Sequence, residues 1–145
     1  MSFKISELPD AGAIQEEDLV PVVQNGTTKK VTTDELARRD RVISVTTTGT
    51  LKVMTGVARY YPQRDITLDT ISAFVGEAPQ GADLIFDLLK NSTVIATGTV
   101  ADGQFKATEI SGLAISLAPT DYLTMDITQV GASIPGAELR VRISY

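Results

Sequence analysis

Cysteine, histidine and tryptophan are all absent from this chain of 145 residues. Their absence excludes disulfides, thiol nucleophiles, histidine-based catalytic triads and the zinc ligands that proteins use most often. The chain must therefore gain its stability from packing or from association with other subunits. We expect no metal and no cofactor.

The sequence also lacks a basic surface and a long apolar run. Its net charge is −5, and the 13 basic residues are scattered apart from one short cluster at residues 38–41. A nucleic-acid partner would need a basic face, and no apolar run is long enough to cross a membrane. The N-terminus has no apolar signal segment. We therefore expect a soluble protein made in the cytoplasm, without nucleic-acid binding or membrane insertion.

Apolar and β-branched residues, in contrast, are plentiful. The apolar fraction of 43% is enough for a core, and valine, isoleucine, threonine and glycine dominate the second half, which favours strands. The predicted strands cover residues 42–45, 51–61, 66–75, 83–89, 93–100, 104–107, 113–117, 122–130 and 138–145. Alternating strands with frequent turns predict an all-β chain whose residues 42–145 form an antiparallel β-sandwich of jelly-roll or immunoglobulin-like type.

Two strand entries in this region resemble each other. Residues 81–88 read Gly-Ala-Asp-Leu-x-Phe-x-Leu, and residues 136–143 read Gly-Ala-Glu-Leu-x-Val-x-Ile. Each predicts a glycine-containing turn, an acidic residue that opens a strand, and apolar side chains at every second position. The similarity is either a structural echo or a coincidence of two ordinary strand entries, and it does not establish a duplication.

Residues 1–41 have a different organisation and end in the charged run, which we take as a linker. Asn25-Gly26 is a strong hairpin signal between two short strands, and Thr32 with Glu35 has the spacing of a capping box that opens a short helix. The segment is too small to bury its own apolar side chains, so a partner must cover them. The interface candidates are Ile5, Leu8, Leu19, Val22, Val23 and Lys29.

Carboxylates are the remaining catalytic candidates, and they do not form a recognisable site. Asp83 and Asp87 share one face of a strand, but a glycosidase needs two carboxylates that face each other across a cleft. We therefore predict no enzyme. The adjacent Tyr60 and Tyr61 form either an aromatic ligand-binding spot or part of the core and rim of the sandwich.

Residues 4–9 (Lys-Ile-Ser-Glu-Leu-Pro) and 18–32 (Asp-Leu-Val-Pro-Val-Val-Gln-Asn-Gly-Thr-Thr-Lys-Lys-Val-Thr) resemble a module at the N-termini of tailed-bacteriophage tail fibres, tailspikes and related virion proteins. In that family the module holds a trimeric appendage on the particle. Residues 56–62, 75–88 and 121–131 are similar to a β-sandwich domain of phage structural proteins. Unlike the fibres, this sequence has no long shaft, repeat or β-helix after the sandwich.

The resemblance implies a homotrimeric virion structural protein, anchored by its N-terminal module and displaying a sandwich knob. A capsid decoration (cement) protein or short head fibre is the leading expectation, with capsid or tail proteins as partners. A short tail fibre or tail-fibre adaptor is the alternative within that class. A receptor- or carbohydrate-binding module that takes a host surface glycan is the alternative outside it.

Overall fold

The computed structural model describes residues 19–25, 27–32 and 41–145. The chain divides into two units, Met1–Arg39 and Asp40–Tyr145, close to the predicted boundary after residue 41. In the first unit, β1 (Leu19–Gln24) and β2 (Thr27–Thr32) pair antiparallel. The hairpin expected at Asn25 is therefore confirmed, and Asn25 has the positive φ, 52°, that its turn requires.

The second unit consists of strands and connections, with no helix among the residues that the structure describes. Its strands are β3 (Val42–Thr46), β4 (Arg59–Tyr60), β5 (Ile66–Leu68), β6 (Thr70–Phe74), β7 (Leu84–Lys90), β8 (Thr93–Val100), β9 (Ile115–Leu117), β10 (Leu123–Gln129) and β11 (Arg140–Ser144). The all-β prediction is confirmed.

The strands form two sheets, ordered β3-β11-β6 and β4-β10-β7-β8, with every pair antiparallel. The first sheet gains a further edge where Lys106 bridges to Phe74 and Ile110 to Ile71. Beyond Asp69, β5 and β9 form a two-stranded antiparallel ribbon between the same two segments of the chain. Most connections cross from one sheet to the other, which gives the strand order of a jelly roll. Of the two sandwich types expected, the chain has this one.

The core lies between the two sheets, because alternate side chains of each strand point inward. Val141 and Ile143 on β11 and Met125 on β10 are fully buried, and Phe86 on β7 is 1% exposed. They belong to one apolar cluster that draws on both sheets. Association of the sheets therefore removes this surface from water, which is the main source of stability in a chain without disulfides.

The predicted strand over residues 66–75 is two strands in the structure, β5 and β6. Ile66 and Leu68 are buried on β5, whereas Ile71 and Ala73 are buried on β6. The buried positions change from even to odd numbers at Asp69, so the chain must bend there to keep both sets inside. Residues 51–61 differ in a similar way: only β4 is regular, and the segment before it reaches β10 through one isolated bridge, between Met54 and Ile127.

The two similar strand entries of the sequence are the two corners that lead from one sheet to the other. Gly81 and Gly136 both adopt positive φ, at 80° and 90°, which side chains disfavour. The corners pair with each other, through bridges from Glu77 to Ala137 and from Gln80 to Ile134. The echo in the sequence therefore corresponds to a shared structural role at one end of the sandwich.

The opposite end of the sandwich brings its first and last residues together. Strand β3 pairs with β11 so that Val42 faces Ser144, and the Tyr145 N–H donates to the Arg41 carbonyl at 3.0 Å. The connections that follow β4 and β7 and precede β10 lie at this same end, where Tyr60 and Tyr145 are neighbours. This end carries the candidate site.

Candidate functional site

The two adjacent tyrosines, Tyr60 at the end of β4 and Tyr61 directly after it, point to opposite faces. Tyr60 is partly buried and packs against the core, whereas Arg59 and Tyr61 are exposed. Residues two apart on a strand share a face, so Arg59 and Tyr61 point together to the outer face of the β4-β10-β7-β8 sheet. Burial raises the pKa of the Tyr60 hydroxyl above its ordinary value, and its neighbour Tyr145 raises it further. Tyr60 therefore has a structural position.

Tyr122, which directly precedes β10, joins Arg59 and Tyr61 on this outer face. The Arg59 guanidinium carbon lies 4.5 Å from the centre of the Tyr122 ring. The rings of Tyr61 and Tyr122 have centroids 5.9 Å apart and are inclined by 51°. These distances are those of a cation–π contact and a tilted aromatic pair. The three side chains therefore form one continuous cluster, which we call the Tyr61 cluster.

A network of hydrogen bonds fixes Tyr122 in place. The Asn91 side chain accepts from the Tyr122 N–H at 3.0 Å and donates to Asp121 Oδ1 at 2.6 Å. The Tyr122 hydroxyl pairs with Ser92 Oγ at 2.9 Å. Lys90 Nζ lies 3.1 Å from Asp121 Oδ2. The ring is thus held from its backbone, its hydroxyl and the preceding residue.

The turn between β7 and β8 is shaped for this network. Asn91 and Ser92 both have positive φ, 49° and 68°, as both central residues of a type I′ turn must. Three donors lower the pKa of the Asp121 carboxyl to about 2 from its ordinary 3.8: first the Ala118 N–H, then the side chains of Asn91 and Lys90. Asp121 is therefore a carboxylate throughout the neutral and mildly acidic range.

A shallow groove of about 310 Å³ adjoins Arg59 and Tyr122 on the outer face of the sheet. It is lined by Thr55, Gly56, Arg59, Leu89, Ser92, Tyr122, Thr124 and Asp126. Within the described part of the chain, no carboxylate lies at ion-pair distance from the Arg59 guanidinium. The groove therefore offers hydrogen-bond donors, an acceptor carboxylate and an apolar patch side by side.

Two carboxylates stand opposite each other at the edge of this groove, and one of them, Asp126, lines it. Asp126 on β10 pairs in register with Asp87 on β7. Asp126 Oδ1 accepts from the Gly56 N–H at 2.7 Å, and Asp87 Oδ1 accepts from Thr97 Oγ1 at 2.5 Å. The sequence indicates that Asp83 and Asp87 share a face, but it gives no sign that Asp87 and Asp126 are neighbours. Each carboxylate has a partner that accounts for its position.

The predicted interface residues of the first unit are only partly within the described chain. Leu19 and Val23 are 57% and 74% exposed, and Lys29 is exposed. Val22 lies on β1, and Ile5 and Leu8 lie outside the described residues. None of the six is tested as an interface residue, and they stay predictions.

Sequence reasoning named Tyr61 but missed Arg59 and Tyr122. Arg59 shows a usable signal, since it precedes Tyr61 by two residues and so shares its face on any strand. Tyr122 shows none, because only the pairing of β10 with β4, which sets Leu123 opposite Tyr60, brings it to Tyr61. Turn residues 91 and 92 read simply as a hairpin connection.

The described residues contain no cluster of three or more side chains suited to hold a metal ion. Among them there is also no helix with the length and apolar character to span a bilayer. The chain matches no model of a known protein family and no curated protein.

Proposed function

We propose that this protein is a structural component of a tailed-phage particle, attached through its N-terminal unit and displaying the sandwich as a knob. The observation that carries the proposal is the apolar surface of the β1-β2 hairpin. Leu19 and Val23 are 57% and 74% exposed in the single chain. Side chains of this kind are normally covered in a monomer when they occur together.

The geometry of the hairpin explains why a partner is needed. Leu19, Pro21 and Val23 alternate along β1 and therefore share one face. An isolated two-stranded hairpin is at best marginally stable in water. Three copies that pack these faces together would share a core, and a three-fold assembly uses two different patches of each copy. A homotrimer built on the first unit would therefore cover the exposed apolar face and stabilise the hairpin.

The jelly roll of the second unit agrees with this proposal at the level of fold analogy. Viral capsid proteins and lectins both use this architecture, but a fold does not by itself specify a function. A position on the capsid, as a decoration protein or short head fibre, is the preferred site on the particle. A short tail fibre or a tail-fibre adaptor is the alternative.

Immunogold electron microscopy of purified particles from the phage that encodes this chain tests the location. Gold on the heads would support a decoration protein or head fibre, and gold on the tails would support the alternative. Particles that bind no antibody, although the antiserum recognises the purified protein, would refute a virion role. Heating particles with and without the protein separates cement from fibre, because only loss of cement should lower the temperature of capsid rupture.

Light scattering on the full-length chain tests the trimer. The double variant Leu19→Ser, Val23→Ser should be a monomer if the hairpin supplies the contacts. The variant Thr27→Ala changes an exposed residue on the opposite face of the same hairpin, because Thr27 pairs with Gln24, and it should remain trimeric. A trimer that survives the double substitution would move the contacts elsewhere, whereas a monomeric wild-type chain would contradict the trimer itself.

A further inference from the structure

We propose that the outer face of the β4-β10-β7-β8 sheet binds an uncharged sugar unit at the Tyr61 cluster. The first observation is the half-exposed ring of Tyr61, 50% exposed beside Tyr122. A pyranose ring has a face of C–H groups that packs on an aromatic ring, and hydroxyls at its rim that need hydrogen-bond partners. Exposed tyrosine supplies such an apolar surface with little loss of side-chain entropy.

The groove that adjoins Arg59 and Tyr122 of the same cluster supplies the polar partners. The Arg59 guanidinium has donors available for hydroxyl oxygens, and the Asp126 carboxylate accepts from hydroxyl protons. Thr55 and Thr124 add hydroxyls, and Leu89 adds an apolar contact. The volume of about 310 Å³ lies at the lower end of the range for small-ligand sites. It suits a short saccharide better than an extended polymer.

The excess of carboxylates around the site disfavours an acidic ligand. Asp126 and Asp87 stand side by side and would repel the carboxylate, sulfate or phosphate of an acidic ligand. The Arg59 guanidinium offsets this repulsion in part, but it is held against the Tyr122 ring. The chain as a whole carries a net charge of −5, which adds to the repulsion of anions. A neutral polyol meets both groups as hydrogen-bond partners without a charge conflict.

The side chains of the site are also preorganised for binding. Tyr122 is fixed by Asn91, Ser92 and the carboxylate of Asp121, and Tyr61 packs on Tyr122. Binding to a surface that is already ordered loses less conformational entropy than binding that must order side chains. The positive-φ turn at residues 91–92 therefore positions the side chains that hold Tyr122.

A glycan array probed with the full-length protein tests this proposal. The array carries neutral oligosaccharides of glucose, galactose, mannose and N-acetylglucosamine, and acidic ones of glucuronate and sialate. Signal on neutral sugars that exceeds signal on acidic ones is the expected result. Absence of binding to every neutral sugar, or a preference for acidic ones, would overturn the proposal.

Variants then assign any binding to the site. Tyr61→Ala should weaken the affinity by about tenfold, since an aromatic contact is lost, and Tyr61→Phe should retain most of it. Phe105→Ala is the matched control, because Phe105 is the other strongly exposed aromatic, at 60%, among the described residues. Equal binding by wild type and Tyr61→Ala would refute the site. This result is independent of particle labelling, so either proposal can fail without the other.

Discussion

Substitution of Gly98 by alanine should destabilise the sandwich by overpacking its core. Gly98 lies on β8 directly opposite Phe86 on β7, and the Phe86 ring covers it. A Cβ atom at Gly98 would overlap Cζ of that ring and lie 2.6 and 2.8 Å from its Cε atoms. Carbon atoms normally approach to about 3.5–4.0 Å. The ring must therefore move by about 1 Å, yet Phe86 is only 1% exposed and its neighbours are close-packed.

The expected cost follows from two opposing terms. Overpacking of a core costs about 1–3 kcal/mol, and the severe overlap here favours the upper end. Replacing glycine within a strand returns about 0.5–1 kcal/mol of backbone entropy. The net loss of unfolding free energy is about 2 kcal/mol, or about 10 °C in Tm for a domain of this size.

Urea and thermal denaturation of the full-length chain measure this loss. Thr99→Ala, on the exposed face of the same strand, is the control and should change the unfolding free energy by less than about 0.5 kcal/mol. In a Phe86→Leu background the same glycine substitution should cost at least about 1 kcal/mol less, because the overlapping ring atoms are gone. An unchanged Tm for Gly98→Ala, or the same cost in both backgrounds, would refute the packing argument.

Three further predictions concern charge and protonation. Asp87→Asn should raise the free energy of unfolding by about 0.2–1 kcal/mol, and with it the urea midpoint, because it relieves repulsion by Asp126 while keeping a hydrogen-bond acceptor. High salt should reduce this gain. The depressed pKa of Asp121 means that its stabilising effect is complete above pH 3.8 and is lost as pH falls through about 2. The near-ultraviolet circular dichroism of the tyrosines should follow this loss, and Asp121→Asn should abolish that step. The raised pKa of Tyr60 acts at the alkaline end instead: its contribution to stability is complete below pH 10 and should decline as the pH rises above 10. Tyr60→Phe should therefore reduce the fall of Tm at alkaline pH.

The regular strands could be predicted from the sequence because their alternation is strict. The limits of β7, β10 and β11 differ from the expected ones by one or two residues at each end. The sequence also indicates the break at Asp69, because the apolar positions change there from even to odd numbers. The strand predicted over residues 66–75 does not take this change into account. Composition shows which residues prefer strands, whereas the parity of buried positions shows where a strand must bend.

The candidate site could be predicted only in part, because it depends on long-range register. Tyr61 stands out in the sequence, but Tyr122 reaches it only through the pairing of β10 with β4. The opposition of Asp87 and Asp126 likewise depends on how β7 and β10 are aligned. An alternating pattern specifies the face of each side chain but not its neighbour on the next strand.

The adjacent ends of the sandwich have a consequence for engineering. The Tyr145 N–H and the Arg41 carbonyl are hydrogen-bonded at 3.0 Å, so a chain can enter and leave residues 41–145 at almost one point. A segment with joined ends can be inserted into a surface loop of another protein with little disturbance of that loop, since the gap to be closed is short. For the same reason, a short linker could join these ends and new termini could be opened at another exposed turn. The sandwich is thus suited by its geometry to insertion into other proteins and to circular permutation.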